Sequence, residues 1–207
     1  MWTLVPLGNP GPEYATTRHN LARLLLQRWI GNRGLDPKVA RQFSTGRVYS
    51  LTQGLQALVP ATYMNHSGHA VAEALAAGLP RESLLLLVDD KDLPLGLGRF
   101  RPGGGDGGHN GLRSLREVLG TEEVPRLRLG IGPFTRPLHE FVLGEWTEEE
   151  WDLIEALDNP FAHFLDLLEQ GALPGGLPAL VNAEAFWSRP PVGETPEPDP
   201  TQDPTRG

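Results

Sequence analysis

The apolar residues of this chain change period along its length, and each change outlines an element. Leu84 to Val88 is a continuous apolar run that ends abruptly in charge. A run of that kind predicts a buried central strand. Trp2 to Leu7 predicts a first strand, with Pro6 expected at its end because proline cannot donate to a ladder. A helix follows from a cap at Thr16 or Thr17, with Leu21, Leu24, Leu25 and Trp29 on one face and Gly31 to Gly34 ending it. Phe43 to Leu51 and Leu55 to Val59, joined by Thr52-Gln53-Gly54, predict a hairpin. A second helix starts at Asn65 or Ser67, runs through Ala77, and is stopped by Gly78 and Pro80. Gly96 to Arg101 is a short strand candidate, Gly111 to Leu119 a short helix with Gly120 as its C′ residue, and Arg126 to Ile131 a further strand. Thr147-Glu148-Glu149-Glu150 is a capping box that opens an acidic helix towards Gly171, with a break expected at Pro160. Ala179 to Trp187 is a last amphipathic piece. Strands alternating with helices predict an α/β fold, a single three-layer domain, and the hairpin makes the sheet mixed. Residues 188–207 are rich in Pro and acidic residues and have no aromatic. They predict a disordered tail beyond a domain at 1–187.

Composition narrows the class. The chain has 207 residues, 39% of them hydrophobic and 21% charged, which is enough for one full core. It has no cysteine, so disulfides and thiolate metal sites are excluded. No signal peptide is visible and no stretch approaches the roughly 20 apolar residues of a membrane span. A soluble cytoplasmic protein is expected. The net charge is −8, but unevenly spread. Residues 1–138 hold 16 Lys/Arg against 11 Asp/Glu, and residues 139–207 hold 2 against 15. The basic part can meet phosphates locally, while a solvated acidic helix and tail account for the rest.

The candidate chemistry lies around the central strand. Asp89, Asp90 and Asp92 fall where it ends, the place where ligands bind in open α/β sheets. Six glycines occupy 103–111, together with His109 and Asn110. Gly103, Gly105 and Gly108 match G-x-G-x-x-G formally, but Pro102 precedes them and no acid lies where a ribose contact belongs. No G-K-[ST] closes a P-loop, no G-x-S-x-G elbow exists, and His139-Glu140 does not continue as H-E-x-x-H. His66 and His69 have metal-ligand spacing but no third ligand in view, so a surface pair is expected. His109 is read as shaping its loop, and His139 and His163 as surface or core-edge residues. His19 sits at a helix start beside a Gly-Asn-Pro-Gly turn, and Asp89 is placed to accept from its ring. A His–Asp pair without a Ser or Cys nucleophile points to direct activation of water. Asn9, Asn65 and Asn110, each beside a tight turn, suit a substrate with many carbonyls and amides and can stabilise an oxyanion. The helix start disfavours the imidazolium and Asp89 favours it, which sets His19 to titrate near neutral pH.

These residues sit in longer blocks: Leu7-Gly-Asn-Pro-Gly-Pro-Glu-Tyr-Ala-Thr-Thr-Arg-His-Asn20, Thr62-Tyr-Met-Asn-His-Ser-Gly68, Asp89-Asp-Lys-Asp-Leu-Pro-Leu-Gly96, Gly107-Gly-His-Asn-Gly-Leu112 and Pro125-Arg-Leu-Arg-Leu-Gly-Ile-Gly132. In that order, over residues 2–187, the chain closely resembles the bacterial peptidyl-tRNA hydrolase family. The resemblance implies one α/β domain with a mixed twisted sheet between helices. It implies hydrolysis of the ester between a peptide, or an N-blocked amino acid, and the 3′ end of tRNA, releasing tRNA during translation, without metal or cofactor. Carried over by position, it makes His19 the base, Asp89 its partner and Asn9 a third catalytic residue. Tyr14, Met64, Asn65 and Asn110 become crevice residues for substrate, and Arg101 and Arg128 face tRNA phosphates. Peptidyl-tRNA is the expected partner, with no membrane and a monomeric protein. Val88 stands where the family usually has His, Pro6 where Gly is common, and Asp106 adds an acid to the glycine loop. Two other classes remain open on the residues alone: an RNA-binding module without catalysis, and a nucleotide-binding α/β protein.

Overall fold

The architecture comes from a computed structural model that describes residues 1–134, 137–171 and 177–188. The expected tail at 188–207 lies outside the described residues except for Ser188. Seven strands form one sheet: β1 (Trp2–Pro6), β2 (Lys38–Gln42), β3 (Gly46–Ser50), β4 (Leu55–Pro60), β5 (Leu84–Pro94), β6 (Gly98–Arg101) and β7 (Arg126–Gly132). Their spatial order is β2-β3-β4-β1-β5-β7-β6. β4, β1, β5 and β7 run parallel, while β2, β3 and β6 pair antiparallel with their neighbours. The sheet is mixed, as the hairpin required.

The helices are α1 (Leu21–Asn32), α2 (Ser67–Ala76), α3 (Asn110–Leu119), α4 (Leu138–Val142), α5 (Glu148–Ala156), α6 (Asp158–Glu169), α7 (Leu177–Val181) and α8 (Glu184–Trp187). The apolar run in β5 is buried on both faces because strand side chains alternate. Leu85 and Leu87 join Leu21, Leu25, Trp29, Phe161 and Phe164 on one face. Leu84, Leu86 and Val88 join Val71, Leu112 and Leu115 on the other. Each leucine so buried contributes roughly 1.5–3 kcal/mol. The result is the three-layer arrangement, with the sheet between α1 and α6 on one side and α2 and α3 on the other.

Several elements differ from expectation, each for a local reason. β5 does not stop at Val88; Asp89 and Asp90 stay in the ladder opposite Leu129 and Gly130. The helix expected from Thr16 or Thr17 begins with a 3-10 turn, Arg18–Asn20, and Thr17 caps nothing with its side chain. Its hydroxyl donates instead to the Tyr14 carbonyl at 2.9 Å. β2 has no apolar signal because all five of its residues are exposed on the sheet edge. The acidic helix breaks at Leu157, between α5 and α6, and Pro160 sits in the first turn of α6, where its missing N–H has no helical partner to lose. Pro6 is the last residue of β1, as anticipated.

Candidate active site

β1 ends at Pro6, opposite Leu87 in the first half of β5, so the chain leaving β1 emerges beside Asp89 and Asp90. The chain leaving β1 carries Asn9, and the 3-10 turn before α1 carries His19 back onto β5. His19 Nδ1 lies 2.9 Å from both carboxylate oxygens of Asp89. Both side chains are almost fully buried. Burial resists the charge on Asp89, but the two imidazoles beside it, His19 and His109, outweigh that and hold its pKa far below the ordinary 3.8. An ionised carboxylate only accepts, so His19 Nδ1 carries the proton and donates it. His19 Nε2 makes no hydrogen bond among the described residues and is left to the cavity. Burial pulls the His19 pKa down, yet the charge of Asp89 and its hydrogen bond overcome this and set it above 6.5. Asp89 raises the value as expected, but what opposes it is burial rather than the helix start.

His109 does more than shape its loop. Its Nε2 lies 2.9 Å from Asp89 Oδ1, and its Nδ1 accepts from the backbone N–H groups of Gly111 and Leu112 at 3.1 and 3.3 Å. The second contact caps α3 and settles the tautomer: Nδ1 bears no hydrogen, so Nε2–H donates to Asp89. The His19 and His109 rings are 4.9 Å apart. Gly111 permits this crowding, since a Cβ there would come within 2.7 Å of Met64 Sδ and 3.0 Å of His109 Cε1.

The His19–Asp89–His109 group opens into a cavity of about 900 Å³. Asn9, Tyr14, Met64, Asn65, Asn110 and Arg128 all line it, so eight of the nine expected site residues, counting His19 and Asp89, meet there. Tyr63 and the α4 side chains Leu138 and Val142 also line it, and sequence reasoning missed them. The Tyr14 and Tyr63 rings meet edge to face at 6.1 Å.

A sequence model of the family described as peptidyl-tRNA hydrolase matches residues 3–175. The chain belongs to the peptidyl-tRNA hydrolase family. A peptidyl-tRNA hydrolase of Syntrophotalea carbinolica is 39% identical over 180 residues, covering 83% of this chain and 93% of that one. One from Geobacter sp. strain M21 is 40% identical over 176 residues, covering 81% and 92%. The crystal structure of the Acinetobacter baumannii peptidyl-tRNA hydrolase superposes with a TM-score of 0.77 at 31% identity, over 88% of this chain and 95% of that one. Members of this family and this chain therefore share one α/β domain.

Arg101 is the expected site residue that stands apart. It pairs with Arg126 at the far end of β6, level with the start of β7, and does not line the cavity. Arg128 does, and its Nε lies 2.9 Å from Asp90 Oδ2. Asp90, read from the sequence as strand-end structure, is thus the counter-ion of a cavity arginine. Asp106 folds the glycine loop by accepting from Gly108 N–H at 2.9 Å and pairs with Arg116 at 3.1 Å. That loop joins β6 to α3, and β6 runs antiparallel to β7, so no parallel dinucleotide unit forms around it. Val88 is buried beside Asp89 and adds no charge there.

Among the described residues, His19, Asp89 and His109 are the group with metal-ligand spacing. The His109 tautomer opposes that use. A metal on Nε2 would need its proton moved to Nδ1, which already faces two N–H donors. His66 and His69 stack at 5.4 Å with no third ligand among the described residues.

Proposed function

We propose that this peptidyl-tRNA hydrolase cleaves the ester between peptide and tRNA with His19 as the base that activates water. The observation that carries the reading is the orientation of one ring. Asp89 takes the Nδ1–H of His19, which leaves Nε2 as the acceptor facing the cavity. Water gives a proton to Nε2 while its oxygen attacks the ester carbonyl. The side-chain amide of Asn9 donates to the oxyanion that forms. Collapse expels the ribose oxygen, which takes the proton back from the imidazolium and leaves as the free hydroxyl of tRNA. The peptide leaves as its carboxylic acid, and the path uses only protein groups and water.

In this reading Tyr14, Met64, Asn65 and Asn110 hold the acyl chain and the tRNA 3′ end, and Arg101 and Arg128 meet phosphates. An ester is more labile than an amide, so one positioned water and a modest base suffice. The working form is a cytoplasmic monomer. Among the described residues no helix is long and apolar enough to cross a membrane. The test is release of an N-acetylated amino acid from tRNA by wild type and His19→Ala. Turnover by the wild type and its loss in the variant, with tRNA binding retained, is the expected result. Near-normal turnover by His19→Ala removes the base assignment. Binding without turnover by the wild type supports an RNA-binding module instead.

A further inference from the structure

Three of the four polar groups of Asn9 are engaged by the protein. Its backbone N–H donates to Asn20 Oδ1 at 2.8 Å, and its carbonyl accepts from Asn20 Nδ2 at 2.9 Å. Its side-chain Oδ1 accepts from the Met64 N–H at 2.8 Å. Its side-chain NH2 has no hydrogen bond among the described residues, and the residue lines the cavity. Asn20 thus pairs with the main chain of Asn9 much as a neighbouring strand would, from a side chain that is 2% exposed.

A second group supports the same segment. Arg23 donates from Nη1 to the Asn9 carbonyl at 3.1 Å and from Nη2 to the Pro60 carbonyl at 2.7 Å. It has no carboxylate partner among the described residues, and burial lowers its pKa to about 10. Its Nε is buried without a hydrogen bond. Arg23 is half-buried, so it bears part of the cost of holding a cation away from water without a counter-ion, and what it holds is the turn after β1 and the end of β4. The fit is close: a Cβ on Gly8 would lie 2.6 Å from Arg23 Cδ and 3.0 Å from Asn20 Oδ1. Asn20 follows His19 in the same 3-10 turn, so the base and the clamp form one body.

We infer that Asn20 and Arg23 are positioning residues for the reaction: they clamp the main chain of Asn9 so that its side-chain amide is a fixed donor to a carbonyl oxygen of the acyl group beside His19. This rests on the roles proposed above for His19 and Asn9. A donor already in place costs no reorganisation when the oxyanion forms, and a small misplacement of such a group is expensive in rate.

A double-mutant cycle on N-acetylated aminoacyl-tRNA tests the clamp. Asn20→Ser and Arg23→Lys are each measured alone and combined with Asn9→Ala, as kcat, kcat/KM and pH profile. Asn20→Ser lowers kcat/KM about tenfold, mainly in kcat, with the pH midpoint unmoved. Arg23→Lys, which keeps the charge and loses the fork, lowers it in the same sense. On the Asn9→Ala background either change has less than about a twofold effect. Equal losses on both backgrounds, or a shifted pH midpoint, overturn the inference, because the residues then act elsewhere or on His19. Asn9→Ala with wild-type kcat/KM also overturns it, while leaving His19 as the base. Turnover retained by His19→Ala strikes the base alone, and the cycle on Asn9 stays readable. If Asn20→Ser does not fold, Arg23→Lys decides by the same criterion.

Discussion

His109 Nε2 lies 2.9 Å from Asp89 Oδ1, an oxygen that also receives His19 Nδ1. One buried carboxylate therefore holds two imidazoles, and the second is pinned at its other nitrogen by the first turn of α3. His109 is a strut between a helix start and the carboxylate that holds His19.

Removing the strut and removing the cap are separable. His109→Ala loses both, so it should lower stability by about 1–2 kcal/mol in urea unfolding and reduce kcat. His109→Asn keeps a good N-cap residue but is too short to reach Asp89. It should unfold close to wild type yet show a kcat about tenfold lower. A wild-type kcat in the asparagine variant would reduce His109 to a cap.

The pH dependence follows from the His19–Asp89 pair. Burial lowers the His19 pKa, but Asp89 raises it more, so it lies above 6.5. With His19 as the proposed base, which works unprotonated, kcat/KM should fall as pH drops through a midpoint above 6.5. Asp89→Asn removes the raising influences and leaves burial, so its midpoint should move below 6.5, with a lower plateau. An unmoved midpoint would mean that another group sets the profile. Stability runs the other way. The raised His19 value makes the pair fully stabilising below pH 6.5, with loss as pH rises through the raised value. The depressed Asp89 value makes it stabilising above 3.8, with loss as pH falls.

Arg128 is tied to Asp90, so its substitution should have two readouts. Arg128→Gln should raise KM, leave kcat within about twofold, and reduce the slope of log binding against log salt by about one. It also leaves Asp90, 7% exposed, without its cation, at about 1–2 kcal/mol in unfolding. Arg101→Gln should reduce the salt slope without the stability loss, since Arg101 has no ion pair among the described residues. A salt slope unchanged in both variants removes these arginines from the phosphate path.

Arg18 anchors the turn that carries His19. Its Nη2 lies 2.6 Å from Glu150, its Nη1 donates to the Glu145 carbonyl, and its guanidinium stacks 5.0 Å from the rings of Phe141 and Trp146. Glu150→Gln removes the charge opposite a buried cation, while its amide oxygen can still complete the capping box of α5. About 2 kcal/mol should be lost in urea unfolding, and the cavity wall at α4 should loosen with it. No change in stability would show that the stacked rings suffice for Arg18.

Legibility tracked how local each signal was. The start of the strand at Leu84, the Thr147–Glu150 capping box and the left-handed Gly120 act over a few residues, and each appears where its pattern placed it, although the strand runs on to Pro94. β2 carried no pattern because an exposed edge strand buries neither face. α4 is five residues long, too short for a helical period to register. The break at Leu157 escaped notice because Pro160 was the louder signal, though proline is tolerated in a first turn.

Within the candidate site, the sequence by itself determined the chemical types and their order: His19, Asp89 and the three asparagines. The tertiary structure alone decided which of them touch. The register of β5 against β7 set Arg128 near Asp90 and left Arg101 at the far end of its strand. The fold brought His109 onto Asp89, and it folded Asn20 back on Asn9 from eleven residues away. Residue type and period are properties of a short window. Hydrogen-bond partners, and the burial that shifts a pKa, depend on which distant segments pack together, and only the assembled sheet settles that.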